Sequence, residues 1–173
     1  MARHRTRAAL ALVGSALLIM AIAAPASADP GSRPFNGMVV GEVAFNPVPV
    51  TVCPNYGGLR TESSAIGTST HLGKTAMTSQ HCTPLGDDFG PGTMTLTSAS
   101  GDEVWITYHG SAPFPGPGVT VFQGGLEFEI VGGTGRFEDA VGGGTMIIEI
   151  VFQGFEDPAW PATWVWNGSI IGY

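Results

Sequence analysis

A glycine-rich segment between two alternating stretches constrains the fold of this chain more than any other feature. Positions 132–144 carry six glycines in thirteen residues. Such a density suits a backbone that adopts positive φ or lies close against a neighbouring strand. In the flanks, 126–131 and 145–152, apolar and acidic residues alternate, which is the two-residue period of a strand with one buried face. The sequence therefore predicts a strand, a glycine-built turn and a second strand.

The turn itself has the sequence Ile-Val-Gly-Gly-Thr-Gly-Arg-Phe at 130–137, followed by Ala140 and Gly142. It resembles the signature of the allene oxide cyclase and dirigent barrel superfamily, in which a strand ends in a Gly-Gly-Thr-Gly turn and an aromatic residue closes over it. The resemblance extends to His71-Leu72-Gly73-Lys74 and to the hairpin at 92–103. It implies a structural turn made of Gly132, Gly133, Thr134, Gly135 and Phe137.

The rest of the chain predicts an all-β protein. About seven or eight strand-like stretches are separated by glycine and proline turns, and nowhere do apolar residues keep a 3.6-residue period for three turns. Residues 38–45 are predicted to be the first strand, 71–82 a second strand with a bulge at Gly73, and 93–99 with 103–110 a hairpin around Gly101. Composition leaves a sandwich and a barrel equally open. The resemblance favours a closed eight-stranded antiparallel β-barrel.

The amino terminus has the pattern of a secretory signal. Arg3, Arg5 and Arg7 precede an apolar run at 8–24 and the small residues Ala26-Ser27-Ala28, which together predict a signal peptide over 1–28 and a secreted protein. Residues 29–37 are predicted to be an exposed leader, and 38–173 a single barrel domain. Beyond 28 no apolar run reaches the ~20 residues of a membrane helix, so no membrane association is expected after cleavage.

Charge narrows the possible partners. Cleavage would leave four Lys+Arg against 14 Asp+Glu, a formal charge of −10 (4 − 14). The four cations are scattered, whereas nucleic acids and anionic lipids are bound through clustered ones. We therefore expect no nucleic-acid partner.

Cys53 and Cys82 are the two cysteines of the chain. An even count in an exported protein predicts a disulfide, which would close a loop of 29 residues (82 − 53). The competing interpretation is a zinc site made with His71 and His81, but no C-x-x-C pair supports it. We expect neither a metal nor another cofactor.

The two strands around the glycine turn each have one apolar face. In a small barrel these faces point inward, and we expect them to bound an interior that holds a small hydrophobic ligand. The predicted ligand-binding residues are Leu126, Phe128, Ile130, Met146, Ile148, Ile150 and Phe152. The acidic residues of the opposite faces, Glu127, Glu129 and Glu149, are expected to be solvated. The tryptophans near the carboxyl terminus are interpreted as barrel core in preference to an exposed ligand platform.

No catalytic residue can be assigned from the sequence. The chain has no G-x-S-x-G elbow, Walker loop or H-E-x-x-H motif, and His109 is more typical of an exposed histidine at a strand end. The resemblance implies a confined apolar reaction chamber, because relatives isomerise an unstable epoxide, hold radicals for stereoselective coupling or close rings. Plant relatives form trimers, so an oligomer is possible.

Three hypotheses follow. The first is a secreted barrel that binds a small hydrophobic molecule, the second an isomerase or cyclase acting on a small apolar substrate, and the third a structural or interaction protein whose own side chains fill the barrel.

Overall fold

The computed structural model describes residues 31–54, 58–83, 88–113, 118–154 and 156–173. These residues form eight strands and one short 3-10 helix. The elements are β1 (Arg33–Pro47), β2 (Leu59–Ser69), β3 (Gly73–Cys82), β4 (Asp88–Ser98), β5 (Glu103–Ser111), β6 (Val121–Gly133), the 3-10 helix (Gly135–Phe137), β7 (Val141–Val151) and β8 (Ala159–Ile171). The prediction of an all-β protein is confirmed.

Each strand pairs antiparallel with the next, and β1 pairs with β8 to close the sheet. The closing seam runs from the pair Arg33 and Ile170 to the pair Ala44 and Ala159. Closure leaves no unpaired sheet edge. The predicted eight-stranded antiparallel barrel is therefore confirmed, and the sandwich is excluded.

The first strand begins earlier than the sequence predicted. β1 starts at Arg33, and Phe35 is completely buried opposite Gly168 of β8. The expectation that 29–37 is an exposed leader is wrong for 33–37, because Phe35 belongs to the core and the seam with β8 needs this part of β1. Residues 29 and 30, and the predicted signal peptide over 1–28, lie outside the described residues. Within the part of the chain that the structure describes, no helix is long and apolar enough to cross a membrane.

The predicted bulge at Gly73 is instead a hairpin turn. Ser69 pairs with Gly73, so 59–69 is a strand of its own and β3 begins after the reversal. His71 and Gly73 both have positive φ, 67° and 66°, and this pair of left-handed residues reverses the chain. The hairpin predicted around Gly101 is confirmed: Gly101 has φ 91°, and the Ser98 amide donates to the Asp102 carbonyl over 2.8 Å.

The glycine turn closes one end of the barrel. Thr134 makes two hydrogen bonds with Glu103 at the start of β5. Its amide donates to the Glu103 carbonyl (3.0 Å), and its hydroxyl accepts from the Glu103 amide (2.9 Å). Phe137 is completely buried, and its ring stacks on Tyr173 with centroids 5.4 Å apart. We call this end the turn end. The opposite end, where the β1–β2, β3–β4, β5–β6 and β7–β8 loops connect the strands, is called the mouth.

Large side chains fill the barrel near the turn end. Phe35 packs against Phe128 and Trp166, with centroids 6.3 Å apart in both pairs. Trp166 needs the absence of a side chain at Gly37, where a Cβ would collide with the indole ring. The interior residues of this half are Phe35, Val39, Met77, Leu96, Ile106, Phe128, Met146, Trp166 and Ile170, all at most 3% exposed. Trp160 and Trp164 are also buried, so the three tryptophans near the carboxyl terminus belong to the core and do not form an exposed platform.

Candidate functional site

Small interior residues form one layer between the closely packed turn end and the mouth. Alternation along the strands places every second residue in the interior. On several strands, one interior residue has a smaller side chain than the interior residue before it on the way to the mouth. Met77 is followed by Ser79, Tyr108 by Gly110, Leu126 by Gly124 and Trp164 by Ala162. Larger interior residues follow at the rim, where Gly124 is followed by Phe122, Ala162 by Trp160 and Ser79 by His81. The layer of small side chains below this rim is the candidate place for another molecule.

Four aromatic side chains cover one side of the mouth. They are Phe45, Phe122, Phe152 and Trp160, carried by β1, the start of β6, the residue after β7, and β8, and we call them the aromatic arc. Ring centroids of Phe45 and Phe152 lie 4.7 and 4.8 Å from that of Trp160, and that of Phe122 lies 6.5 Å away. The Trp160 indole N–H donates to the Gly154 carbonyl over 3.0 Å. The three phenylalanines are only partly buried, so the arc presents apolar area at the opening.

Polar side chains cover the other side. They come from β2, β3 and β5 and the residue after β3, and are called the polar arc: Thr61, Ser79, His81, Thr83 and Tyr108. The register links the two arcs directly, because Phe45 pairs with Thr61 and Thr61 pairs with His81. The hydroxyls of Thr61 and Thr83 are in hydrogen-bond contact.

The centre of the polar arc is a hydrogen bond between His81 and Tyr108. Nδ1 of His81 lies 2.9 Å from the Tyr108 hydroxyl, and the two rings meet edge to face with centroids 5.8 Å apart. β4 lies between their strands, and Gly92 is the β4 residue opposite Tyr108. A Cβ at Gly92 would collide with the Tyr108 ring, so this glycine lets the phenol lie across β4 and reach β3.

Burial keeps both members of the pair uncharged. Desolvation lowers the pKa of His81 from 6.5 to about 4, because an imidazolium loses its hydration inside the barrel. Desolvation also raises the pKa of Tyr108 to about 12, against a smaller opposing effect of the hydrogen bond with Ser79. At neutral pH the pair therefore offers neutral hydrogen-bond donors and acceptors. A general base works best with a pKa near the operating pH, and His81 does not meet that condition.

The predicted ligand-binding residues all lie on the inner face of the barrel. Leu126, Phe128, Ile130 and Met146 belong to the closely packed core, Ile148 and Ile150 are buried on the mouth half of β7, and Phe152 is half-buried at the mouth. Phe152 is part of the aromatic arc, and Ile150 pairs with Phe122 of the same arc. Ile148 lies two residues deeper on β7. Their role in binding a ligand stays a prediction.

The predicted structural turn is present, but its glycines act for different reasons. Gly132 and Gly135 have positive φ, 135° and 57°. Gly133 does not. A Cβ at Gly133 would instead collide with the Glu103 carbonyl oxygen. Position 133 therefore requires glycine because the backbone of β5 lies too close for a side chain.

The acidic residues lie on the outer surface, as predicted. Glu127, Glu129 and Glu149 are exposed, Glu149 accepts a hydrogen bond from Gln123 over 3.0 Å, and Glu127 lies 3.6 Å from the exposed His109. They are separated from the interior by the sheet.

The disulfide between Cys53 and Cys82 is confirmed. Both thiols of the alternative zinc site are therefore bonded to each other, and His71 lies at the turn end, away from His81. Among the described residues, no group of three or more histidine, cysteine or carboxylate side chains is placed to hold a metal.

A second concave feature lies outside the barrel. The outer faces of β1 to β4 form an open groove of about 560 Å³, lined mainly by polar residues such as Glu42, Glu62, Ser64, Thr78 and Thr95. A further outer groove of about 650 Å³ lies on β1, β2, β3 and β8, and its lining includes Val40, Ile66 and Pro161. Both grooves lie on the outer faces of the sheet. The mouth is preferred as the candidate site because it combines aromatic surface with convergent polar groups.

Comparison of this chain with protein-family models, with curated proteins and with solved structures finds no match. The closed eight-stranded barrel agrees with the resemblance to the allene oxide cyclase and dirigent superfamily at the level of architecture. Membership of that superfamily stays a prediction.

Proposed function

We propose that this protein is secreted and binds a small hydrophobic molecule at the mouth of its barrel. The observation that carries the proposal is the part-buried hydrogen bond between His81 and Tyr108, on the side of the mouth that the aromatic arc leaves uncovered. Small-molecule sites combine a mostly apolar surface with a few convergent polar groups, and the two arcs provide that combination. The disulfide and the signal-like sequence at 1–28 support export.

The depth of the site follows from side-chain size. Near the turn end the interior is occupied by Phe35, Phe128 and Trp166, and an eight-stranded barrel has room for little beyond such side chains. The small interior residues Ser79, Gly110, Gly124 and Ala162 lie nearer the mouth, below the rim formed by the aromatic arc. The ligand is therefore expected to contact Ile148, Ile150 and Phe152, with Leu126 beneath it, and not Phe128, Ile130 or Met146.

Binding without turnover is preferred to the isomerase or cyclase alternative. Acid–base catalysis at neutral pH needs a group that exchanges protons there. The pKa of His81, about 4, and that of Tyr108, about 12, both lie far from neutrality. The turn motif and the closed barrel support kinship with the allene oxide cyclase and dirigent barrels, but this kinship assigns no catalytic residue.

Titration with Nile red, an uncharged apolar dye whose fluorescence rises in apolar surroundings, tests the proposal. The decisive comparison is Ile148→Trp, which fills the interior below the mouth, against Ile147→Trp, whose side chain replaces one that is 55% exposed on the outer face. We expect saturable binding to the wild type and to Ile147→Trp, and its loss in Ile148→Trp. Tyr108→Phe provides a second interior variant with little change in volume, and it should weaken binding of ligands that carry a hydrogen-bonding group.

The absence of saturable binding to the wild type would contradict the proposal and favour the filled-barrel alternative. Equal binding by Ile147→Trp and Ile148→Trp would place the dye outside the barrel. Circular dichroism and thermal unfolding of each variant establish that it is folded.

A further inference from the structure

We infer, resting on the proposed function, that the mouth selects uncharged ligands carrying a carbonyl or hydroxyl oxygen and discriminates against carboxylates of the same chain length. The inference concerns the charge of the ligand and follows from the distribution of cations in the chain.

The loops at the mouth contain no cationic side chain. The connecting segments 48–58, 83–87, 112–120 and 152–158 have no lysine, arginine or histidine in the sequence. Exposed acidic residues are present instead, since Asp88 begins β4 at this end and Glu156 and Asp157 precede β8. The field at the mouth therefore opposes the approach of an anion.

Most of the cations outside 1–28 belong to the opposite end of the barrel. The Arg33 guanidinium lies over the Tyr173 ring at 5.1 Å, and that of Arg136 over the Phe137 ring at 4.8 Å. Lys74 is the second residue of β3, next to the hairpin turn at the same end.

Arg60, near the start of β2, is the cation closest to the mouth in the strand order. Its guanidinium forms an ion pair with Glu62 of the same strand. Thr61, between these two residues, is buried in the barrel, so the Arg60 side chain lies on the outer face of β2. A carboxylate entering the interior would therefore lose hydration without reaching a cation, which is unfavourable in an apolar site.

The polar arc suits an uncharged oxygen instead. Ser79, His81 and Tyr108 are connected by hydrogen bonds and include both donors and acceptors. A carbonyl or hydroxyl group can join such a network without bringing a net charge into the barrel. The aromatic arc then takes the apolar part of the same molecule.

Displacement of Nile red at neutral pH by ligands with one common ten-carbon chain tests the inference. Decanol and methyl decanoate should displace the dye, and decanoate should do so about ten times more weakly or less. Decylamine should also be weaker than decanol, because no carboxylate of the described residues lies on the inner wall of the mouth.

Thr83→Lys supplies the missing cation at the rim, where Thr83 is half-buried beside Thr61. The decanoate-to-decanol affinity ratio should rise several-fold in this variant. Thr78→Lys is the matched control, because Thr78 is exposed on the outer face of β3, and its ratio should stay at the wild-type value.

The outcomes separate this inference from the proposed function. If Nile red binds and decanoate displaces it as well as decanol does, the charge selectivity is overturned and the binding function stands. An unchanged ratio in Thr83→Lys would also overturn it. If Nile red does not bind at all, both are overturned.

Discussion

The hydroxyl of Tyr108 and Nδ1 of His81 meet 2.9 Å apart although they belong to strands that are not neighbours. The strand between them is β4, and its Gly92 leaves the space in which the Tyr108 ring crosses to β3. Residues from three strands thus build one part-buried polar pair. The candidate site depends on this relationship.

Removal of the Tyr108 hydroxyl tests the importance of the pair for stability. Tyr108→Phe deletes a hydrogen bond to a largely buried imidazole and should lower the free energy of unfolding by about 1–3 kcal/mol in denaturant titrations. Tyr173→Phe is the matched control, because the Tyr173 hydroxyl is buried without a hydrogen-bond partner in the described part of the chain. A loss in Tyr173→Phe equal to that in Tyr108→Phe would contradict this account.

The burial of His81 predicts a pH dependence of stability. The unfolded chain takes up a proton at His81 near the ordinary pKa of 6.5, whereas the folded protein does so only near a pKa of about 4. The unfolded state therefore binds more protons between these values, and the free energy of unfolding falls as pH decreases through them. His81 should account for about 3 kcal/mol of that fall.

Denaturant unfolding of His81→Gln from pH 7 to pH 4 tests this contribution. Its free energy of unfolding should fall by about 3 kcal/mol less than that of the wild type. His109→Gln should retain it, since His109 is exposed on the outer face of β5. Identical pH profiles for wild type and His81→Gln would show that the folded protein does not resist protonation of His81.

Two substitutions in the glycine turn should lower the stability of the protein. Gly133→Val would drive a side chain into the Glu103 carbonyl, and Gly135→Val would place a β-branched residue at φ 57° against Asp102. Each should lower the free energy of unfolding by more than about 1 kcal/mol. Gly125→Val should cost little, because a Cβ at Gly125 has no heavy atom within 4 Å and valine suits a strand. Unchanged denaturation midpoints in both turn variants would contradict this role.

Reduction of the disulfide should lower the stability of the protein. It closes a loop of 29 residues and fixes the β1–β2 loop to the end of β3 beside the mouth. On the chain-entropy model its reduction should lower the free energy of unfolding by about 3–4 kcal/mol. Thiol titration of the denatured, unreduced protein should find no free thiol. Two free thiols would contradict the structure.

The sequence predicted those features of the fold that follow from a local residue pattern. Alternation around the glycine turn placed Phe128, Ile148 and Glu149 on the correct faces, because each residue's face follows from a period of two. The hairpin at Gly101 was equally predictable. Closure into a barrel rested on the resemblance, since alternation alone is the same in a sandwich.

Other features depend on long-range contacts that no local pattern encodes. Phe35 lies in a proline- and glycine-containing segment that suggested an exposed leader, yet its pairing with β8 buries it. His71 adopts positive φ in a hairpin turn that the sequence suggested was a continuous strand. No local pattern singles out Tyr108, and the sequence suggested His81 only as a zinc ligand. Their contact requires the register of β3, β4 and β5.

The most direct test of the central claim is the position of a bound ligand. Amide chemical shifts of isotope-labelled protein, followed by NMR during titration with decanol, report this position residue by residue. We expect saturable changes at Thr61, His81, Gly110 and Ile150 around the mouth, with none at Phe137 and Tyr173 at the turn end. Changes confined to the outer strand faces or to the turn end, or no saturable change at all, would contradict a ligand site in the mouth.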